Sequence, residues 1–350
     1  MTDADASPLL PPPGRALVTG GAGFIGSHLV EVLLAAGAEV TVVDDLSTGR
    51  ESNLQSARAA GGDRLRFLRA DLRDALPDLA REEPFDQIYH LAAAVGVDLV
   101  LRDPVAAIET NVGLTSEVLA FARPRRPGAP GASVLIASSS EVYGKPNTHV
   151  FSENDDVLYG PTSVSRWSYA ASKAIDEYLA LGYTATRGVP CVCVRFFNTV
   201  GPRQVGAYGM VLPRFVAAAL RNEPIRVFGT GEQTRCFCDV RDSAPALPRL
   251  LADPAHAGRV FNLGSDRPIS ILGLAEAVIR TLGSRSEIVH VPYEDAYPAG
   301  FEDLRHRRPD LERVHQAIGF RPRIPLEQTI RDLAAEAEAA APASAGRQPA

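Results

Sequence analysis

The sequence predicts an α/β fold in which helices cover both faces of a doubly wound parallel sheet. Short apolar segments alternate with stretches of helical periodicity up to residue 198, and a glycine-rich turn joins the first apolar segment to the first helix. This alternation is typical of right-handed βαβ units, whose strands pair in parallel. The chain of 350 residues is 45% hydrophobic and 22% charged, and its length suits one large domain or two intimate ones.

Six strands and three helices are predicted before residue 199. The strands are runs of aliphatic and β-branched residues, and the helices repeat apolar residues every three or four positions. The first helix places Ile25, Leu29 and Val32 on one side and stops at Gly37. In chain order the segments are strand 16–20, helix 24–36, strands 39–45, 65–71 and 86–94, helix 105–122, strand 133–140, helix 169–186 and strand 189–198.

Shorter elements rich in Pro, Gly and Arg follow residue 199. We expect helices at 210–220 and 271–282 and strands at 225–229, 234–240 and 259–264. The predicted organisation is a flexible leader (1–13), a nucleotide-binding domain (14–198), a smaller substrate-binding domain with strands returning to the first sheet (199–333), and a disordered tail (334–350).

Charge and hydropathy exclude several classes of function. The net charge is −6 with no long basic run, which argues against nucleic-acid binding. No run of about 18 apolar residues occurs, so no transmembrane helix is expected. The N-terminus MTDADASPLL is acidic where a signal peptide is basic. A cytoplasmic protein that binds neither membrane nor nucleic acid is therefore expected.

The four cysteines form two C-x-C pairs, Cys191/Cys193 and Cys236/Cys238. Both pairs lie in β-like segments, where residues two apart share one face of a strand. Zinc sites favour two to four residues between cysteines, with a turn. Zinc is an alternative, but we favour buried free thiols in a reducing compartment and expect no metal.

A dinucleotide site is predicted at GGAGFIG (20–26). These glycines follow a strand and open a helix, and Asp44 ends the next strand, as a Rossmann-type fold requires. Glycines let the backbone approach a pyrophosphate, and the Asp44 carboxylate suits ribose hydroxyls but repels a 2′-phosphate. NAD is therefore expected rather than NADP; a purely structural turn is the alternative. The candidate residues are Gly20, Gly23, Phe24, Ile25, Gly26 and Asp44.

Tyr169 and Lys173 stand four residues apart on a predicted helix and so share one face. An ammonium beside a phenol lowers the tyrosine pKa, and a tyrosine that exchanges a proton near neutrality suits alcohol–ketone interconversion. The chain has only two lysines, Lys145 and Lys173, which argues against an ordinary surface pair. A second polar cluster, Ser138–Glu141, ends a predicted parallel strand, where α/β sheets bind ligands.

Together these motifs resemble the extended short-chain dehydrogenase/reductase family of NAD-dependent nucleotide-sugar epimerases, dehydratases and decarboxylases, over about residues 14–332. The resemblance implies bound NAD, a nucleoside-diphosphate sugar substrate and a homodimer. It implies catalytic roles for Ser139, Ser140, Glu141, Tyr169, Lys173 and Arg307, cofactor contacts from Asp71, Leu72, Leu91, Ala92, Ala93, Asn111, Tyr169 and Lys173, and substrate contacts from Asn198, Arg235 and Arg307.

Within that family, SEVYG (140–144) and GFEDLRHRRPDLERV (300–314) are similar to segments of the UDP-glucuronate decarboxylases. Arg308-Pro309 replaces their Lys-Pro, and Phe301 stands at a tyrosine position. The resemblance therefore favours decarboxylation of UDP-glucuronate, through a 4-keto intermediate, to a UDP-pentose. A 4-epimerase acting on UDP-glucose or UDP-glucuronate is the alternative. A 4,6-dehydratase or a non-catalytic NAD-binding scaffold is further from the pattern.

Overall fold

The computed structural model describes residues 14–95, 102–125, 131–146, 148–206, 210–296 and 305–340. It confirms the predicted α/β class. Seven parallel strands form one sheet in the order β12-β7-β5-β4-β1-β2-β3, and the other strands pair in two-stranded sheets. The strands are β1 (Arg15–Thr19), β2 (Glu39–Asp44), β3 (Leu65–Arg69), β4 (Gln87–His90), β5 (Ser133–Ser139), β6 (Val150–Phe151), β7 (Cys191–Phe196), β8 (Thr199–Val200), β9 (Ile225–Phe228), β10 (Thr234–Cys236), β11 (Cys238–Asp239), β12 (Arg259–Leu263), β13 (Pro268–Ser270), β14 (Ile288–Val291) and β15 (Arg308–Pro309).

Helices cover both faces of the seven-stranded sheet. In chain order the helices of the described residues are α1 (Phe24–Ala35), α2 (Gln55–Gly61), α3 (Leu72–Leu79), α4 (Pro104–Phe121), α5 (Arg166–Arg187), α6 (Val211–Leu220), α7 (Val240–Ser243), α8 (Ala246–Ala252), α9 (Ile271–Leu282), α10 (Tyr293–Ala296), α11 (Glu312–Ile318) and α12 (Leu326–Ala340). Of these, α6, α9 and α12 pack against one another in a separate core. One core lies under α1, α2, α8 and α11, and a second lies under α3, α4 and α5. In the described residues no helix is long and apolar enough to cross a membrane.

The sheet changes its direction of winding between β1 and β4. From β1 the chain proceeds outward to β2 and β3, then returns to β4 and proceeds the other way through β5 and β7 to β12. Open α/β sheets bind ligands at such a switch point, beyond the carboxyl ends of the strands. Strand β12 comes from the region that we assigned to the substrate-binding domain, and Arg259 pairs with Val192 at its start. The boundary at residue 198 stays a prediction.

Two sequence predictions are corrected. Residues 334–340, expected in a disordered tail, form the last turns of α12, because Ile330, Leu333 and Ala334 bury themselves against α6 and α9. The expected strand 234–240 is two strands: β10 pairs with β13, whereas β11 pairs with β8. The predicted leader 1–13 and tail residues 341–350 lie outside the described residues.

All four cysteines are buried, and three of them, Cys191, Cys193 and Cys238, belong to the apolar cores. Cys191 and Cys193 lie on β7, and burial raises the pKa of Cys191 to about 12. Cys236 and Cys238 lie on β10 and β11 and are also free thiols. In the part of the chain that the structure describes, no three His, Cys, Asp or Glu side chains are grouped as a metal site.

Candidate active site

A cavity of about 840 Å³ opens at the carboxyl ends of the central strands. Its wall brings together the predicted cofactor, catalytic and substrate residues, with one exception, Asn111. The lining includes Gly20, Gly23, Phe24, Ile25, Gly26, Asp44, Asp71, Leu72, Leu91, Ala92, Ala93, Ser139, Ser140, Glu141, Tyr169, Lys173, Asn198, Arg235 and Arg307. Residues far apart in the sequence therefore surround one space large enough for two extended ligands.

The glycine turn between β1 and α1 packs too closely against neighbouring backbone to carry side chains at two of its positions. Gly20 has a φ of 70°, and a Cβ there would lie 2.7 Å from the Ala92 nitrogen. At Gly26 a Cβ would collide with the carbonyl oxygen of Gly20. Only glycine fits both positions. The first residues of α1 line the cavity, where their N–H groups suit a pyrophosphate.

Asp44 ends β2 with its carboxylate at the cavity wall. Its Oδ2 accepts a hydrogen bond from the Ala22 N–H at 2.9 Å, and its Oδ1 accepts one from the Leu46 N–H at 2.8 Å. Burial raises the pKa of Asp44, and these N–H groups limit the rise. The fixed carboxylate can accept hydrogen bonds from two ribose hydroxyls, whereas a 2′-phosphate would face a like charge.

We expect NAD to bind at least about tenfold more tightly than NADP, because like charges in contact cost several kcal/mol. The measurement is a titration of the ligand-free protein with each cofactor. Asp44→Ala should reduce the difference in affinity between the two cofactors, because it removes a hydrogen-bond acceptor for NAD and a repulsive charge for NADP. Equal affinities of the unsubstituted protein for the two cofactors would contradict the role of Asp44.

Asn111 lies behind the cavity wall rather than on it. The side chain is fully buried; its Oδ1 accepts from the Ala94 N–H at 2.8 Å, and its Nδ2 donates to Ser172 Oγ at 3.2 Å. It therefore joins the segment after β4 to helix α5, one residue before Lys173. Its neighbours Ala107 and Thr110 on α4 do line the cavity, and the expected cofactor contact of Asn111 stays a prediction.

Tyr169 faces the cavity from α5 and hydrogen-bonds the Ser139 side chain. Burial raises the pKa of Tyr169 and the nearby Glu141 charge raises it further, against the lowering effect of the Ser139 hydrogen bond and of Arg307. The sequence led us to expect a lowered pKa. The surroundings instead favour the protonated phenol at neutral pH.

Lys173 lies one turn after Tyr169, nearly fully buried. Its Nζ donates to Asp176 Oδ2 at 2.9 Å, and the Asp176 side chain is fully buried as well. The carboxylate keeps an ammonium stable in the interior. It also offsets part of the field that the lysine would otherwise place on the phenol, and it contributes to the raised pKa of Tyr169.

Glu141 lies just after β5, in a short 3₁₀ turn (Ser140–Tyr143). Two arginines pair with its carboxylate. Arg307 Nη2 lies 2.7 Å from Oε1, and Arg166 Nη2 lies 3.1 Å from Oε2. Burial opposes ionisation, but the charges of Arg307 and Arg166 outweigh it and lower the pKa of Glu141 to about 2. Glu141 is therefore an anion at neutral pH that accepts hydrogen bonds and has no proton to donate.

Two predicted substrate residues lie further along the cavity. Asn198 follows β7 with a φ of 26°, and its Oδ1 is buried without a hydrogen-bond partner, a polar atom that a ligand would satisfy. Arg235 is buried on β10, and its charge helps to lower the pKa of Glu141. Three guanidinium groups thus surround one carboxylate, which makes this end of the cavity positive and suited to an anionic ligand.

A buried polar network fixes β5 beneath the site. Ser138 Oγ donates to Glu177 Oε1 at 2.5 Å, and Arg195 pairs with both Glu177 oxygens at 2.9 and 2.7 Å. The network links β5, α5 and β7, so the strand bearing Ser139 and the helix bearing Tyr169 keep a fixed spacing.

Arg166 and Asp176 were not predicted from the sequence as site residues. Each stands three residues from a predicted catalytic residue, Arg166 before Tyr169 and Asp176 after Lys173, and so shares a helix face with it. That spacing was the available signal. The spacing does not show that these charged residues are buried, and burial is what pairs them with Glu141 and Lys173.

Comparisons with known proteins agree with this geometry. A 39% identical relative, the UDP-N-acetyl-alpha-D-glucosaminuronate decarboxylase of Bacillus cytotoxicus, aligns over 91% of this chain and 96% of its own. UDP-glucuronic acid decarboxylase 1 of Xenopus tropicalis is 34% identical over 90% of this chain and 70% of its own. The Bacillus cereus UDP-glucuronic acid 4-epimerase, solved with UDP-glucuronic acid and NAD, superposes with a TM-score of 0.80 at 25% identity, covering 93% of this chain and 99% of that one. The model of the NAD-dependent epimerase/dehydratase family matches residues 16–264, and the chain belongs to that family.

Proposed function

We propose that this protein is a UDP-uronate decarboxylase that works through a 4-keto sugar. The observation that carries the proposal is the Glu141 carboxylate held between Arg307 and Arg166, within the same cavity wall as Tyr169 and Ser139. A neutral hexose has no charge that would need these arginine side chains beside it. The two relatives described above, which share 34–39% identity, act on UDP-uronates.

The residues around the cofactor position suit oxidation at C4. When bound, NAD⁺ supplies the hydride acceptor for the C4 carbon and the positive charge that favours the phenolate. Gly20, Gly26 and Asp44 would hold it. Tyr169 takes the proton of the C4 hydroxyl as the C4–H bond breaks, and Ser139 shares that hydrogen bond. Lys173, held by Asp176, keeps a positive charge near the phenol.

Oxidation at C4 turns the uronate into a β-keto acid, and the residues near Glu141 then act. The C5–C6 bond breaks, its electron pair moves into the C4 ketone as an enolate, and CO₂ leaves. Arg307 attracts the sugar carboxylate without neutralising it through a tight bidentate pair, which would oppose CO₂ loss. Because Glu141 is already ionised, it has no proton to give to C5, and we assign that protonation to Arg307, directly or through a water.

Two substrates fit this chemistry and differ only at C2. UDP-glucuronate carries a hydroxyl there, and UDP-N-acetylglucosaminuronate carries an acetamido group. The 4-epimerase is the second candidate, favoured by the Bacillus cereus structure. It needs the same Tyr169 and Lys173, but the keto sugar turns over in the cavity instead of losing CO₂.

Mass analysis after incubation with NAD and each UDP-uronate tests the proposal. A decarboxylase removes CO₂ and yields a UDP-pentose, or a UDP-4-ketopentose if the ketone is released before reduction. Unchanged mass with a new sugar isomer identifies an epimerase. No change with either uronate, together with bound NAD, identifies a scaffold or a different substrate.

We also propose that the protein is a homodimer formed by α4 and α5. These adjacent helices expose large apolar side chains where water would be expected to face polar ones: Val105 is 62% exposed and Tyr178 is 72% exposed, with Ile108 and Ile175 beside them in the same spacing. A second copy would cover both helices in a symmetric four-helix contact. A cytoplasmic location stays a prediction from the sequence.

Tyr178→Glu should dissociate the dimer, because it would bury a charge in that contact. Sedimentation at micromolar concentration should give about twice 37.3 kDa for the unsubstituted protein and a monomer for the variant. Val289→Glu, at an exposed valine on β14 outside these helices, serves as the matched control and should stay dimeric. An unsubstituted protein that sediments as a monomer would contradict the proposal.

A further inference from the structure

The two oxygens of Glu141 are held by arginines from different parts of the fold. Arg307 precedes β15, which pairs with β6, and it reaches Oε1. Arg166 occupies the first turn of α5 and reaches Oε2. Both side chains are nine-tenths or more buried. Since one arginine already lowers the proton affinity of a carboxylate, the second needs its own explanation.

Arg166 closes a chain of contacts that connects Tyr169, which acts at C4 in the proposed mechanism, with Glu141. It stands one helical turn before Tyr169 on α5. Tyr169 hydrogen-bonds Ser139, and the Glu141 N–H donates to Ser139 Oγ at 3.2 Å. The Glu141 carboxylate then returns to Arg166. Helix α5 therefore fixes Glu141 relative to the phenol, independently of the segment that carries Arg307.

We propose, on the basis of the function proposed above, that Arg166 is a positioning residue that acts through Glu141. It holds the Glu141 carboxylate beside the catalytic helix, so that Arg307 can engage the carboxylate of the sugar without releasing Glu141 into a new position. Two observations agree with this division of roles. Arg307 Nε is buried without a hydrogen-bond partner, so it retains a donor for a ligand. The Arg166 guanidinium packs over the Trp167 ring, 5.6 Å from its centroid, which limits its movement.

The charges around Glu141 give this role a pH signature. The groups that face it are Arg307, Arg166 and Arg235, which favour its anion, and Tyr169, which is neutral. Removing the Arg166 charge raises the pKa of Glu141 from about 2, because burial is then less fully opposed. Glu141 becomes protonated at a higher pH. The acid side of the pH profile for CO₂ release should therefore move upward.

The test compares Arg166→Met, which keeps the length but not the charge, with Arg166→Lys, Glu141→Gln and the double variant Arg166→Met/Glu141→Gln. We expect Arg166→Met to lower kcat for CO₂ release at pH 7 by about 10–100-fold, with NAD content intact and KM changed little. Its acid limb should lie at least about one pH unit higher. The lysine variant should recover part of the rate as a single point donor. The double variant should be no slower than Glu141→Gln alone, because Arg166 acts only through the Glu141 carboxylate, which Glu141→Gln has already removed.

Other outcomes overturn the inference. If the effects of Arg166→Met and Glu141→Gln multiply, or if Arg166→Met raises only KM for uronates, then Arg166 binds the sugar directly. If the lysine and methionine variants lose activity equally with an unmoved acid limb, Arg166 has only a structural role. An unsubstituted enzyme that releases no CO₂ from either uronate overturns the proposed function, and the role of Arg166 with it.

Discussion

Tyr169→Phe should lower kcat by about 10²–10⁴-fold while NAD stays bound, since that is the scale of general acid–base groups. The substitution removes one oxygen and its proton and leaves the ring, α5 and the glycine turn in place. The measurement is turnover of a UDP-uronate, with bound NAD quantified by absorbance.

Tyr183→Phe is the matched control for this experiment. Tyr183 lies on the same helix, packs against the core under α3–α5 and does not line the cavity. It should keep the activity of the unsubstituted enzyme. If Tyr169→Phe kept most of its activity, the base at C4 would be a different group.

Arg307→Ala should abolish most CO₂ release, by at least about 100-fold, because it removes a buried guanidinium from the place where charge changes during the reaction. It also leaves Glu141 with Arg166 as its nearest cation, so the variant should stay folded. In the proposed mechanism C4 oxidation depends on Tyr169 and Lys173, so it should persist in this variant and be visible as NADH absorbance without loss of CO₂.

Arg307→Lys separates charge from geometry in this prediction. A lysine keeps the positive charge but offers a single point donor in place of a planar fork, and it should recover only part of the rate. If Arg307→Ala raises KM and leaves kcat unchanged, Arg307 is a binding residue, and the epimerase candidate gains support.

The features that could be predicted from the sequence depend on patterns within short stretches of chain. The glycine turn with Asp44 depends on a strand, a tight turn and a helix start within one stretch of chain. Tyr169 and Lys173 depend on helical periodicity alone. Both patterns specify backbone geometry directly, so their residues appear on the cavity wall as expected.

The features that could not be predicted from the sequence depend on packing between distant segments. A raised pKa at Tyr169 follows from burial by β5 and from the Glu141 charge, neither of which is visible in the tyrosine–lysine spacing. The alanine-rich end of α12 has high helix propensity but few large side chains; Ile330, Leu333 and Ala334 pack against α6 and α9, and the exposed residues 335–340 continue the helix that they anchor. Strand 234–240 divides because its two halves find different partners.

The position of β12 has a consequence for how the protein is made. The last strand of the main sheet is synthesised only after β8, β9, β10 and β11, yet it covers the edge of β7, whose neighbour β5 carries Ser139. A nascent chain that ends near residue 198 would expose the unpaired backbone of β7, an edge that can pair with other chains. The nucleotide-binding half should therefore not be recoverable as a separately folded fragment. Unfolding of both regions should instead be one cooperative event, because the seven-stranded sheet is incomplete without β12 from the second region.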